Sequence, residues 1–303
     1  MAKNANFGRV MTAMVTPFAV DGSVDYAQCG ELAKMLLASG SDGLVLTGTT
    51  GETPTLSIEE QIEVWRAVRR AVGPDATIIG GASTNSTSES LEMVREGVAT
   101  GMSGLMFTVP YYNKPPQEGL YRHFRVLAEA TPLPCILYNI PGRTSLNMTA
   151  ETTLRLANDV PNIVGIKEAA GDMAQAKAIC DAAPEGFRLW SGDDALTLNI
   201  LEQGGWGIVS VASHLIGSQI SEMIATYVSG DIAGARAIEA RLMPLFNVLF
   251  IETNPIPVKF AVNHAGIPVG GLRLPMIEAS ADAQARIAAE MANHKLDVLA
   301  VHA

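Results

Sequence analysis

Residues 162–172 read NIVGIKEAAGD. Ile163, Val164 and Ile166 form an unbroken apolar run, the pattern of a strand buried on both faces in a parallel sheet, and Gly165 is the kind of residue that lets another group approach the backbone closely. Lys167 stands where the strand gives way to a loop, so its side chain starts from an apolar wall. Burial penalises the ammonium, lowers a lysine's pKa and makes available near neutral pH the free amine that attacks carbonyls. The same position also suits a lysine that snorkels to water or pairs with a carboxylate, and the stretch alone allows either reading.

Working outward, the chain alternates short apolar runs with amphipathic helical stretches. Strands are predicted at Val10 to Val15, Gly43 to Leu46, Thr77 to Gly80, Leu105 to Val109, Cys135 to Tyr138, around Lys167, Phe187 to Trp190 and Gly207 to Val211. Between them lie helices from Asp25 to about Ser39, from the Ser57/Glu60 capping box onward, from a possible Ser86/Glu89 box with a Leu91, Val94, Val98 stripe, and along Leu120, Phe124 and Leu127. Later helices start near Thr149, run from Met173 to Ala182, and run from Ala195 to Gln203. Eight such units indicate an α/β fold, a closed TIM (β/α)8 barrel, and no GxGxxG follows the first strand to favour an open dinucleotide-binding sheet. Beyond Ser213 only helices are expected: Ile216 to Val228, Ile232 to Ile251, Pro257 to His264 and Pro275 to about Leu299. The expected division is a barrel over 1–213 and a C-terminal helical layer over 214–303 packed on it.

The 303 residues are 48% hydrophobic, ample for a large core, and carry a net charge of -10 without a basic run, which opposes nucleic acid and anionic membranes. No stretch reaches the ~18 uncharged apolar residues of a membrane span, and MAKNANFGRV has no apolar signal region, so a cytoplasmic protein is expected. Cys29, Cys135 and Cys180 are odd in number and widely spaced, and read as reduced structural thiols. No HxxxH, CxxC or clustered acidic pattern indicates a metal.

In a (β/α)8 barrel the chemistry sits in the loops after the strands. Gly48-Thr49-Thr50-Gly51-Glu52 combines glycines that let backbone N–H groups turn inward with two hydroxyls, a cradle for a carboxylate or carbonyl oxygen; a turn that satisfies itself is the alternative. Pro110 to Pro116 is stiffened by prolines and presents Tyr111 and Tyr112. Tyr138 to Thr144, YNIPGRT, places a phenol at a strand end and Arg143 a few residues on, where it can clamp a carboxylate or form a surface ion pair. In Ser191-Gly192-Asp193-Asp194 an aspartate can simply cap the next helix.

GTTGE, YNIPGRT, GIKEAAGD, SGDD and NPIPVK at Asn254 to Lys259 occur in an order and spacing that resemble the dihydrodipicolinate synthase branch of the pyruvate-dependent N-acetylneuraminate lyase superfamily, over nearly the whole chain. The resemblance implies a Schiff base between Lys167 and pyruvate, proton relay by Tyr138 with Thr49 and Tyr112, and substrate binding by Thr50, Arg143, Gly192 and Val209. It further implies no cofactor beyond the Schiff base, and a homotetramer, a dimer of dimers with Tyr111 and Tyr112 at a subunit interface. Arg143 in YNIPGRT, with GGLRLP at Gly270 to Pro275, resembles the synthases, whose partners are pyruvate and L-aspartate 4-semialdehyde in lysine biosynthesis; a lyase of sugar acids would offer a polyol chain a neutral, hydroxyl-rich loop. A non-catalytic keto-acid sensor would be marked by loss of Lys167 or Tyr138, and both are present. Asn85, Glu89 and Tyr111 match positions that bind lysine in feedback-inhibited members, whereas Ile58 and Gln61 stand where strongly inhibited members carry histidines, so weak or absent inhibition is expected, with some affinity for an amine kept by Glu89.

Overall fold

The computed structural model describes residues 7–298. Among them, eight strands, each pairing in parallel where its register is resolved, follow chain order around a closed barrel: β1 Val10–Ala13, β2 Gly43–Leu46, β3 Thr77–Gly81, β4 Gly104–Thr108, β5 Cys135–Asn139, β6 Ile163–Glu168, β7 Arg188–Ser191 and β8 Gly207–Ser210. The intervening helices are α1 Tyr26–Ala38, α2 Ile58–Val72, α3 Thr87–Ala99, α4 Gln117–Glu129, α5 Pro141–Thr144, α6 Ala150–Asp159, α7 Met173–Ala182 and α8 Thr197–Glu202. After β8 the chain is helical: α9 Ser213–Val228, α10 Ile232–Val248, α11 Ile256–His264 and α12 Ala281–Met291. No helix of the described residues is long and apolar enough to cross a membrane.

The chain forms two compact units, one of Thr77–Val209 with the segment ending at Arg9, the other of Val10–Ala76 with the segment from Ser210 onward. In the first, β6 is buried along its whole length, as its apolar run requires. Gly165 admits the Arg188 carbonyl and the Trp190 ring, since a Cβ there would lie 2.3 Å from the one and 2.5 Å from the other. In the second, α1 and α2 pack together and α9 lies against β1.

Several element ends differ from the sequence reading. β1 stops at Ala13 rather than Val15 because the Val15 N–H is given to His214 Nε2 at 3.1 Å. That bond makes Nε2 an acceptor, so the proton sits on Nδ1, which donates to the Val211 carbonyl at 2.8 Å, and burial pushes the His214 pKa down to about 4. The Ser57/Glu60 box on α2 is complete, but on α3 only the Ser86 half forms, because the Glu89 carboxylate accepts from Thr84 Oγ1 instead. The buried face of α3 is Ser90, Met93, Val94 and Gly97, and Val98 is exposed: Gly97, where a Cβ would lie 2.5 Å from Leu105 Cδ2, takes the buried place expected of Val98. α5 is an element that the sequence reading lacks; Pro141 at its first turn has the fixed φ that suits a helix start. α9 begins three residues earlier than expected and bends at Ile216. α12 begins at Ala281, capped by Ser280, rather than at Pro275, and the expected end at Leu299 lies outside the described residues.

Candidate active site

Three strands of the first unit bring the chemistry together. The parallel register sets Tyr138 beside Lys167 and Lys167 beside Trp190, so the phenol and the amine leave the same face one strand apart. Lys167 Nζ lies 4.3 Å from the centre of the Tyr138 ring, and only 5% of the lysine and 2% of the tyrosine are exposed. Desolvation pushes the Lys167 pKa down to about 8; Asp194 pulls it upward and Arg143 pushes it down further, both more weakly. Gly192 leaves the room this lysine occupies, because a Cβ there would come 3.2 Å from Lys167 Cε and 2.5 Å from Ala169 Cβ. Val209 is buried on β8.

The sequence reading missed two acids here. Asp194 is 2% exposed and is the carboxylate that acts on Lys167, while its neighbour Asp193 does the expected capping by accepting from the Ala195 N–H at 2.9 Å. The doubled aspartate of SGDD was the available signal. Glu168, 3% exposed, follows Lys167 directly, and burial raises its pKa. A charged pair closing an apolar strand marks it in the sequence.

Arg143 projects from α5, is exposed, and acts electrostatically on Lys167. In the same unit Asn85, Glu89 and Tyr111 come together: Asn85 Nδ2 donates to the Tyr111 carbonyl at 3.2 Å, Asn113 Nδ2 returns a bond to the Asn85 carbonyl at 2.8 Å, and the Tyr111 pKa is raised first by burial and then by Glu89. Tyr112 is 91% exposed and holds a φ of 73°, a conformation that costs a non-glycine residue about 1–3 kcal/mol and persists only where surroundings enforce it.

The GTTGE turn belongs to the second unit. Its internal backbone bonds are donated by Gly51, Glu52 and Thr53 at 3.0, 3.1 and 3.4 Å, and the Thr49 and Thr50 N–H groups are not among them. The left-handed residues are Thr47 and Glu52, with φ of 48° and 57°, and not the glycines to which the sequence reading assigned the turning. Gly51 instead makes a close approach: a Cβ would meet the Met14 carbonyl at 3.2 Å. Thr50 Oγ1 accepts from Asn254 Nδ2 at 2.9 Å, and the buried Lys259 Nζ lies 2.6 Å from Glu52 Oε1 and 3.9 Å from the centre of the Phe18 ring. NPIPVK thus grips the turn through its first and last residues. On α2, Gln61 is buried with its amide donating to the Leu56 carbonyl at 3.3 Å, and Ile58 is half-buried.

A family model described as the dihydrodipicolinate synthetase family matches residues 6–294. The chain is 57% identical to the 4-hydroxy-tetrahydrodipicolinate synthase of Symbiobacterium thermophilum over 274 residues, 90% of this chain and 93% of that one. The solved dihydrodipicolinate synthase of Cyanidioschyzon merolae with lysine bound superposes with a TM-score of 0.93 at 48% identity, covering 95% of this chain and 98% of that one. The chloride-inhibited enzyme of Acinetobacter baumannii complexed with pyruvate superposes with a TM-score of 0.91 at 36% identity, over 95% and 98% of the two chains.

Proposed function

The chain belongs to the dihydrodipicolinate synthetase family, and from that premise we infer that it condenses pyruvate with L-aspartate 4-semialdehyde to 4-hydroxy-tetrahydrodipicolinate, a lyase-class reaction of lysine biosynthesis by way of diaminopimelate. The observation that carries the chemistry is a buried lysine of lowered pKa facing a buried phenol. Free Lys167 amine adds to the keto carbon of pyruvate, and loss of water leaves an iminium. Its positive nitrogen withdraws electrons from the neighbouring methyl group, which gives up a proton and becomes an enamine. The enamine carbon bonds to the aldehyde carbon of the second substrate, whose oxygen takes a proton. That substrate's own amine then displaces Lys167 from the imine carbon and closes the ring.

Each step moves a proton. Tyr138 is assigned to carry them, with Thr49 and a Tyr112 from a neighbouring subunit completing the relay on the strength of the motif resemblance. Thr49 and Thr50 supply N–H donors for the pyruvate carboxylate, Gly192 and Val209 line its place, and Arg143 takes the carboxylate of the aldehyde. No external cofactor enters these steps. The exposure of Tyr112 in a constrained conformation supports a subunit contact, and the assembly assigned is a cytoplasmic homotetramer. Asn85, Glu89 and Tyr111 are assigned to lysine, with weak inhibition because Gln61 has turned its amide into its own helix start and Ile58 offers only alkyl groups.

A coupled assay tests the reading. Product should form from pyruvate and L-aspartate 4-semialdehyde, no pyruvate should be released from N-acetylneuraminate, and micromolar L-lysine at sub-saturating pyruvate should change the rate little. Pyruvate release from the sugar acid with no condensation would reverse the assignment, and strong inhibition at micromolar lysine would overturn its regulatory part.

A further inference from the structure

The geometry points to a ring of four side chains, Asn139, Asn147, Glu168 and Gln175, as the device that positions Arg143. Asn139 is fully buried at the end of β5, directly after Tyr138, so its backbone starts the excursion that carries Arg143 and its side chain is bonded to the end of it. Its Oδ1 accepts from the Met148 N–H at 3.0 Å and its Nδ2 donates to Asn147 Oδ1 at 2.7 Å, so residues 140–147 leave and return through one side chain. The Asn139 Nδ2 is also 3.1 and 3.2 Å from the two Glu168 oxygens. Gln175, from α7, closes the ring: its Nε2 donates to Glu168 Oε2 at 3.0 Å, to Asn147 Oδ1 at 3.2 Å and to the Met148 carbonyl at 3.3 Å, and its Oε1 accepts from Asn147 Nδ2 at 2.8 Å.

The ring can exist in one sense only. A carboxylate is purely an acceptor, and Glu168 also takes the Ala170 N–H at 2.8 Å, so every group turned toward it is a donor. With the Asn139 and Gln175 amide nitrogens committed to Glu168, the orientation of both amides is set, and Asn147 must present its oxygen to the two nitrogens and its nitrogen to Gln175. The base of the Arg143 excursion is therefore tied to the residue that follows Lys167. Hydrogen bonds to a charged acceptor are roughly twice as strong as neutral ones, which is why an acid rather than an amide suits this centre. A glutamine at 168 would point donors at donors on one of its two sides.

None of these four residues is assigned to the reacting carbons. They act through Arg143, and the proposal rests on the assignment of Arg143 to the carboxylate of the aldehyde. Removing a ring member should leave pyruvate capture intact and weaken use of the aldehyde. Steady-state kinetics of Glu168→Gln and of the milder Asn147→Ala, with melting curves to verify folding, should show KM for L-aspartate 4-semialdehyde raised about tenfold, while the pyruvate concentration that half-saturates borohydride trapping stays within about twofold. Introduced into Arg143→Ala, the Asn147→Ala change should add nothing further, a non-additivity that a general loss of stability would not produce. If Arg143→Ala raises the aldehyde KM and a folded Asn147→Ala does not, the ring proposal is overturned and the role of Arg143 stands. If Arg143→Ala itself leaves that KM unchanged, the role of Arg143 falls, and the ring proposal with it.

Discussion

In the proposed reaction, how fast Lys167 attacks a carbonyl at neutral pH depends on how much of it is free amine. With a pKa lowered to about 8, roughly a tenth is unprotonated at pH 7, about three-hundredfold more than for an ordinary lysine. At low pyruvate, the rate of borohydride trapping should rise close to tenfold per pH unit below about pH 8 and level off above it; a rate still climbing at that slope through pH 9.5 would contradict the assigned environment. The same shift affects stability. The unfolded chain binds more protons than the folded one between about pH 8 and the usual lysine value, so burial of Lys167 detracts from stability at low pH and that loss is relieved as pH rises through this window. Lys167 and Tyr138 were legible in the sequence because each closes an apolar strand, which fixes both burial and direction. Glu168 and Asp194 carried a local mark but not a role, because what they do depends on neighbouring strands and loops that approach only in the folded chain.

Helices were read most securely where a residue able to cap stands at the start: the expected Ser57 cap forms, and Asp25, Thr149 and Asp172 accept backbone N–H bonds at the starts of their helices as well. Ends set by long-range partners, such as the histidine that stops β1, have no local mark. The same holds for the grip on the GTTGE turn. Lys259 and Glu52 are 1% and 2% exposed, and Lys259 Nζ also donates to the Gly271 carbonyl at 2.6 Å. Arg273 adds a second clasp, donating its N–H to Glu52 Oε2 at 3.1 Å and its guanidinium to both Glu60 oxygens at 2.7 and 2.6 Å. Breaking a buried ion pair leaves an uncompensated charge, so Lys259→Met should destabilise by about 3–5 kcal/mol in urea unfolding. Glu52→Gln combined with Lys259→Met should lose less than Lys259→Met alone, since the stranded carboxylate is gone. A single variant within about 1 kcal/mol of the parent would show that the pair is dispensable.

At the scale of the molecule, the eightfold alternation of strand and helix was enough to read the barrel, because each buried parallel strand needs a covering helix. The charge is harder to reconcile. The chain carries -10, yet both proposed substrates bring a carboxylate, so the field of the whole protein repels what a few cations must attract. Lys167 and Arg143, which act on each other within one unit, are the cations proposed to supply that local reversal. Pairwise placement of this sort is invisible in a composition and only half visible in a motif. The most direct test is to incubate the protein with pyruvate, reduce with borohydride, digest and locate the adduct by mass spectrometry. One pyruvate-derived adduct per chain on Lys167, absent from Lys167→Ala, is the result this account predicts; an adduct on another lysine, or one undiminished in Lys167→Ala, would contradict it.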